Sequence, residues 1–98
     1  MNELLRTPEF DEWLRALRDV AGKARILARL RSAALGNFGD CEPVGDGVSE
    51  MRIHAGPGYR VYYTRRGRTV YLLLCGGDKS SQKKDIRRAK ELLRQLEN

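Results

Sequence analysis

The chain has 98 residues, which suffices for one small domain and excludes a second core, so we assign residues 1–98 to a single domain. Hydrophobic residues make up 41% and charged residues 33% of it, and the formal net charge of +6 indicates a polyanionic or acidic partner. No apolar run approaches the ~18 residues of a membrane-spanning helix. No signal peptide is recognisable, so we expect a cytoplasmic protein without membrane contact.

The positive charge lies in the second half of the chain. Residues 1–49 contain 7 Lys+Arg and 8 Asp+Glu (net −1), whereas residues 50–98 contain 12 and 5 (net +7). Such a division predicts one basic surface rather than an evenly basic protein. The two cysteines, Cys41 and Cys75, lack metal-ligand spacing, so we expect no metal or cofactor and assign Cys75 to the core.

The first half of the chain predicts two consecutive helices. Residues 2–6 form either an edge strand or a lead-in segment. A helix with Thr7 as its N-cap follows over residues 8–20, because apolar residues recur there at helical spacing. A second helix is predicted over residues 23–35, and residues 36–47, rich in Gly and Asp, read as a loop.

The second half predicts three strands and a final helix. Alternating or apolar runs indicate strands over residues 48–55, 59–65 and 69–75, the last at the centre of the sheet. Gly76 and Gly77 then predict a turn, and a helix with apolar positions Ile86, Ala89, Leu93 and Leu96 ends the chain. The order (β)ααβββα predicts an α+β fold, an antiparallel sheet with the helices packed on it.

Strand alternation divides the side chains of the predicted sheet between two faces. The face toward the helices is expected to hold Met51, Ile53, Val61, Val70 and Leu72. The other face would then hold Arg52, His54, Arg60 and Tyr62, a shallow basic surface suited to a nucleic-acid backbone. The alternative is an ordinary solvated sheet face, where charged residues are common.

Three further features bear on chemistry. His54 is the only histidine and is either a general base or acid toward an RNA 2′-hydroxyl or 5′-oxygen, or an ordinary surface residue. "GGDKS" lacks the spacing of a phosphate loop, and we reject that interpretation. We expect instead that Asp78 or Ser80 caps the last helix. Lys79 follows the third strand and is expected to reach the basic face. In that helix Lys83, Lys84, Arg87 and Arg88 either extend the basic surface or form a solvated face.

Four segments together resemble a known family. "TPEFDEWLRAL", "GNFGD", "GVSEMRIHAGPGYRVYYTRRG" and "LLLCGGDKSSQKKDIRRAKEL", in this order and spacing, are similar to the addiction-module killer proteins. These form the HigB-like branch of the RelE/ParE toxin superfamily, also grouped with the phage family Gp49. The resemblance covers essentially the whole chain and implies a RelE-like fold, in which two N-terminal helices pack on one side of a small antiparallel sheet.

The resemblance implies the toxin of a type II toxin–antitoxin system. Its partners would be a cognate antitoxin, of the HigA-like helix-turn-helix kind, and the ribosome with its mRNA. RelE-like members cut mRNA in the ribosomal A site without a metal, which implies an endoribonuclease here. Arg60 matches a phosphate-contacting arginine of such toxins, Arg52 matches a basic position of the same cleft, and Lys79 falls in the "GGDK" signature.

The chain departs from the RelE pattern at its C-terminal end. RelE ends in a tyrosine that assists catalysis, and this chain lacks it, so His54 and Tyr62 are the local candidates for a general base. A ParE-like toxin that binds DNA gyrase without cleaving RNA is the alternative function, because the fold is shared. The arginines that flank the predicted hairpin tip, Arg65, Arg66 and Arg68, are expected to give RNA electrostatic support or to form a solvated turn.

Overall fold

The computed structural model describes residues 1–97, which form a five-stranded sheet and three α-helices. The strands are β1 (Glu3–Arg6), β2 (Cys41–Gly45), β3 (Val48–Ile53), β4 (Tyr59–Arg65) and β5 (Val70–Asp78). The helices are α1 (Pro8–Ala16), α2 (Val20–Ala34) and α3 (Gln82–Glu97), with a 3-10 turn at Lys79–Ser81. The α+β class is confirmed. None of the described helices is long and apolar enough to cross a membrane.

The sheet is mixed rather than purely antiparallel. Its strand order is β1-β5-β4-β3-β2, so β4 and not β5 is the central strand. The pairs β2–β3, β3–β4 and β4–β5 are antiparallel, whereas β1 pairs parallel with β5. Residues 2–6 therefore supply an edge strand, and the prediction of an antiparallel sheet was wrong for this one pair.

The predicted loop over residues 36–47 contains strand β2, which the sequence reading missed. This strand lies at the sheet edge and pairs only with β3, with an irregular register between Pro43 and Gly45. An edge strand tolerates proline because one side of its backbone has no hydrogen bonds to a neighbouring strand. Its Gly- and Pro-containing sequence therefore resembles a loop.

The joint between α1 and α2 lies upstream of its predicted position. Thr7 caps α1 by accepting a hydrogen bond from the Phe10 backbone N–H at 3.0 Å, as expected. The helix ends at Ala16, and Asp19 caps α2 by accepting from the Gly22 N–H at 2.9 Å. Because an aspartate N-cap starts a new helix, residues 17–20 do not continue the first one.

Helices cover both faces of the sheet. Residues of α1 and α2, among them Phe10, Leu14, Ile26 and Leu30, pack on one face against Met51, Ile53, Val61 and Leu73. On the opposite face α3 contributes Ala89, Leu92 and Leu93 against Val48, Tyr62, Leu74 and Cys75. Packing of the N-terminal helices on one face is confirmed, as is a core position for Cys75. Burial raises the pKa of that thiol to about 12.

Three details of this packing differ from expectation. The face predicted to be an open basic surface is partly covered by α3, whose apolar residues pack against Val48, Tyr62 and Leu74. Leu72 packs on the α3 side, since a register shift opposite Tyr62 and Tyr63 reverses the alternation along β5. Along α3, Leu92 is buried while Leu96 is 49% exposed.

Gly76 and Gly77 lie within β5 and do not form the predicted turn. A Cβ at Gly76 would come within 2.3 Å of the Trp13 ring, and one at Gly77 within 1.8 Å of the Asp85 carboxylate. The two glycines therefore allow α1 and α3 to approach β5 from opposite sides. Asp78 ends the strand and caps the 3-10 turn, because its side chain accepts the Ser80 N–H at 2.8 Å.

Candidate functional site

A cleft of about 500 Å³ lies at one end of the sheet, where β3 ends, β4 begins and β5 leads into the 3-10 turn. Its walls are Arg52, His54, the loop 55–58, Arg60 and Lys79. The pairing of Arg52 with Arg60 across β3 and β4, and of Arg60 with Gly77 across β4 and β5, brings these residues together. The structure thus places four of the five predicted catalytic residues in one cleft, while their roles stay predictions.

Arg60 is nearly buried, with 9% of the residue exposed. Its Nε atom lies 3.9 Å from Oε2 of Glu50, and it has no hydrogen-bond partner within residues 1–97. An unsatisfied buried donor costs about 1–3 kcal/mol. The side chain lines the cleft from a largely desolvated position, where its charge acts more strongly than in water.

Arg52 is held by three carboxylates. Its guanidinium lies 2.7 Å from Glu42, 3.1 Å from Glu50 and 3.4 Å from Asp40. The hydrogen bonds that Arg52 donates to Glu42 and, with a smaller effect, to Glu50 raise the pKa of Arg52. Because all three carboxylates contact Arg52 and Glu50 also lies 3.9 Å from Arg60, the positive charge of these two arginines is largely offset, whereas Lys79 forms no salt bridge within residues 1–97.

Tyr62 does not reach the cleft, so its predicted place on an open face was wrong. The ring is fully buried beneath α3, and its hydroxyl donates to Oε2 of Glu50 at 3.1 Å. Burial and the neighbouring carboxylate raise the pKa of Tyr62 far above its ordinary value. A buried phenol with a raised pKa is unsuited to act as a general base.

His54 is paired with a carboxylate that the sequence reading did not single out. Its Nε2 lies 2.6 Å from Oδ2 of Asp40, and 70% of its side chain is exposed. The hydrogen bond from His54 lowers the pKa of Asp40 and outweighs desolvation, with Arg52 adding a smaller effect. Arg29 of α2 donates to the backbone carbonyls of Asp40 and Arg52, which holds the carboxylate beside β3.

The loop 55–58 at the rim of the cleft is positioned by a hydrogen bond between the start of β4 and the N-terminus of α2. The Tyr59 hydroxyl donates to Oδ2 of Asp19 at 2.8 Å, and this hydrogen bond raises the pKa of Tyr59. Gly56 has a φ of 52° and Gly58 a φ of 82°, a region that other residues seldom adopt. The N-terminus of α2 and the start of β4 therefore set the shape of the rim.

Lys79 joins the cleft to a second depression, which we call the basic hollow. The basic hollow has a volume of about 520 Å³ and is lined by Lys79, Ser80, Ser81, Gln82, Lys83, Lys84 and Arg87. Within residues 1–97, Lys79, Lys83, Lys84 and Arg87 form no salt bridge. Arg88 points elsewhere, toward Glu9 at 3.9 Å. Of the four α3 cations predicted to extend the basic surface, three line the basic hollow and Arg88 does not.

The arginines of the β4–β5 hairpin, at the opposite end of β4, do not contribute to the cleft. Arg65 lies five residues from Arg60, about 16 Å at strand spacing. Its guanidinium donates to the carbonyls of Gly67 and Arg68 at 3.0 and 2.9 Å. Arg65, Arg66 and Arg68 are all exposed. We call this region the hairpin tip; of its arginines, Arg65 hydrogen-bonds to the turn itself.

The residues that sequence reasoning missed are the carboxylates Asp40, Glu42 and Glu50. Asp40 and Glu42 lay in the segment read as a loop, so no alternation linked them to Arg52. Glu50 did share the strand face of Arg52 and His54, and this shared face was the available signal. No group of three or more His, Cys, Asp or Glu side chains among residues 1–97 is arranged to hold a metal ion.

The sequence has relatives that cover nearly its whole length. The family described as phage derived protein Gp49-like matches residues 12–94. An uncharacterized protein of Haemophilus influenzae is 47% identical over 94 residues, which is 96% of this chain and 95% of the relative. Both matches contain the strands β2 to β5 and the first turns of α3, and therefore every residue of the cleft.

Proposed function

We infer the function from the family: the chain belongs to the Gp49-like family of phage-derived proteins, which is part of the RelE/HigB-like toxin superfamily. This membership indicates a toxin-like module. We place the chain in the HigB-like branch and propose that it is the toxin of a type II toxin–antitoxin system. In this proposal it inhibits translation by cleaving mRNA on the ribosome, without a metal or other cofactor.

The observation that supports RNA cleavage is the convergence of Arg52, His54, Arg60 and Lys79 on one cleft. Phosphoryl transfer within RNA develops negative charge on the phosphate oxygens, and fixed cations in a desolvated site stabilise that charge. A toxin that only binds gyrase needs no convergent set of cations with a histidine among them. The cleft therefore favours the endoribonuclease over the gyrase inhibitor.

The proposed reaction is attack of a 2′-hydroxyl oxygen on the adjacent phosphorus. The bond from phosphorus to the 5′-oxygen breaks, and the products are a 2′,3′-cyclic phosphate and a 5′-hydroxyl that takes its proton from solvent. Asp40 engages Nε2 of His54 at 2.6 Å, which leaves Nδ1 free to accept the proton of the 2′-hydroxyl. A carboxylate that orients an imidazole in this way fixes both its tautomer and its direction.

The three cations of the cleft differ in what each can do. Arg60 is held in place by burial and offers a fixed contact to the phosphate. Lys79 is exposed and forms no salt bridge within the described chain. Its ammonium group can therefore move toward the negative charge that develops on the phosphate oxygens. Arg52 reaches a phosphate only when exposed Asp40 and Glu42 release its guanidinium, while buried Glu50 retains it.

RNA outside the scissile bond has a path along the basic hollow. Lys83, Lys84 and Arg87 extend from Lys79 along the first turns of α3, and phosphate contacts there add salt-dependent affinity. We assign the hairpin tip only long-range electrostatic support, because it lies at the far end of β4.

The proposed partners are the ribosome with its mRNA and a cognate antitoxin. We propose a HigA-like helix-turn-helix antitoxin that carries an acidic or amphipathic segment. Such a segment would cover the cleft and the basic hollow, since opposite charge favours docking there.

The test is to add purified protein to a translating extract and map mRNA 5′ ends by primer extension, with gyrase supercoiling measured in parallel. We expect new mRNA ends that depend on translation and are lost with His54→Ala, with supercoiling intact. General base catalysis contributes about 10²–10⁴-fold, so this loss is easily measured. Intact mRNA with blocked supercoiling would replace the proposal by the gyrase inhibitor.

A further inference from the structure

Glu50 is a fully buried carboxylate, in a position where proteins seldom place a charged side chain. Glu50 and Arg60 are the only buried ionisable Asp, Glu, Lys or Arg residues within residues 1–97, and Glu50 is 0% exposed. Removing a carboxylate from water costs several kcal/mol, and a buried ion pair seldom returns more than that. Stability alone is therefore a poor reason for a glutamate at this position.

The contacts of Glu50 connect the cleft to the base of α3. Its Oε1 accepts from Nε of Arg52 at 3.1 Å, and Nε of Arg60 lies 3.9 Å from its Oε2. Two neutral donors complete the set at Oε2: the Tyr62 hydroxyl at 3.1 Å and the Gln82 amide at 2.8 Å. One carboxylate thus contacts side chains from β3, β4 and the first residue of α3.

The position of Glu50 offsets a repulsion between two arginines of the cleft. Arg52 and Arg60 lie directly opposite each other on neighbouring strands, where like charges repel. Glu50 lies two residues before Arg52 and opposite Tyr62, so its carboxylate is beneath both guanidinium groups. The neutral donors fix Oε2 from the other side. The carboxylate therefore has one position, hydrogen-bonded to Arg52 and 3.9 Å from Nε of Arg60.

We propose that Glu50 is a positioning residue that fixes Arg52 and Arg60 for contact with the RNA phosphate. The inference rests on the proposed function, since it concerns the same cleft. Glu50 itself is buried and contacts no substrate; it acts through the two guanidinium groups. Its negative charge opposes phosphate binding, so its effects on affinity and on cleavage have opposite signs.

The test is Glu50→Gln, which keeps the shape of the side chain and removes its charge. We expect single-turnover cleavage to fall by about 10²-fold, the effect of a misplaced catalytic contact. RNA affinity should stay the same or rise, because one negative charge beside the phosphate is gone. A purely structural role predicts instead that cleavage and affinity fall together with the folded fraction. Glu3→Gln, an exposed change of the same charge on β1, is the control and should leave both unchanged.

A second measurement separates this inference from the activity itself. In ¹⁵N-labelled protein, the Nε–H signals of Arg52 and Arg60 should shift and exchange faster in Glu50→Gln than in Glu3→Gln. Tyr62→Phe, which keeps every charge, should shift them in the same direction by less. If the wild type cleaves no RNA, the proposed function fails. The arginine Nε–H signals would still show whether Glu50 fixes the two guanidinium groups. Unchanged arginine signals, or full cleavage by a folded Glu50→Gln, would overturn the inference.

Discussion

The two ends of strand β4 carry arginines in very different settings. At the cleft, Arg60 is 9% exposed and lies beside the buried Glu50. At the hairpin tip, Arg65 is exposed and donates to carbonyls of its own turn. The same residue type is thus buried beside a carboxylate at one end and hydrogen-bonded to its own turn at the other. Burial and pairing, rather than the density of positive charge, therefore identify the candidate site.

The largest expected difference between the two ends is in cleavage rate. Arg60→Ala removes a fixed cation from the cleft and should lower single-turnover cleavage by about 10²–10³-fold. Arg65→Ala should cause a much smaller loss, because its guanidinium engages its own hairpin. Thermal unfolding of both variants controls for folding. Equal losses at the two positions would remove the distinction between them.

The second difference is in packing. Gly76→Ala, at the cleft end of β5, places a Cβ 2.3 Å from the Trp13 ring and should lower the free energy of unfolding by about 1–3 kcal/mol. Gly67→Ala, at the hairpin tip, meets Val70 at an ordinary 3.7 Å and should change it little. Urea denaturation of the two variants gives the comparison. A tolerated Gly76→Ala would show that the sheet end is less tightly packed than described.

The third difference is in the salt dependence of RNA binding. Each phosphate contact to single-stranded RNA contributes about 0.7 to the slope of log affinity against log salt concentration. Replacing Lys83, Lys84 and Arg87 by Gln should therefore lower the slope by up to about 2. The same change at Arg65, Arg66 and Arg68 should lower it by less. A larger effect at the hairpin tip would move the RNA path to that end.

The smallest expected effect is on acid stability. The pKa of Asp40 is lowered from 3.8 in the folded protein, chiefly by the hydrogen bond from His54. Its contribution to stability is therefore present above pH 3.8 and is lost as the pH falls through the lower, folded value. Asp40→Asn should be less stable than the wild type above that pH, and the difference should shrink below it. If the stability difference between the wild type and Asp40→Asn does not change with pH, the ionised Asp40 carboxylate and its hydrogen bond with His54 are not its source.

The sequence predicted most of the fold because its patterns were local. Thr7 before Pro8 located the start of α1, and alternation in β4 correctly separated Tyr59, Val61 and Tyr63 from Arg60. The edge strand β2 was missed because a strand paired on one side keeps a loop-like composition. The joint near Asp19 was misplaced, since an apolar stripe continues past the residue that caps the next helix.

The candidate site was predictable only in part. Alternation and the resemblance together selected Arg52, His54, Arg60 and Lys79, and these residues do meet. The carboxylates were missed because their contacts depend on tertiary structure: Asp40 and Glu42 come from the edge strand and the turn before it. Tyr62 was misplaced because the sequence did not show that α3 covers that face of the sheet.

The most direct test of the central claim is a structure of the His54→Ala variant bound to a translating ribosome with intact mRNA. The account predicts an RNA phosphate in the cleft, within hydrogen-bond distance of Arg60 and Lys79, and mRNA leading along the basic hollow. A protein bound through its hairpin tip, or an empty cleft with mRNA elsewhere, would contradict it.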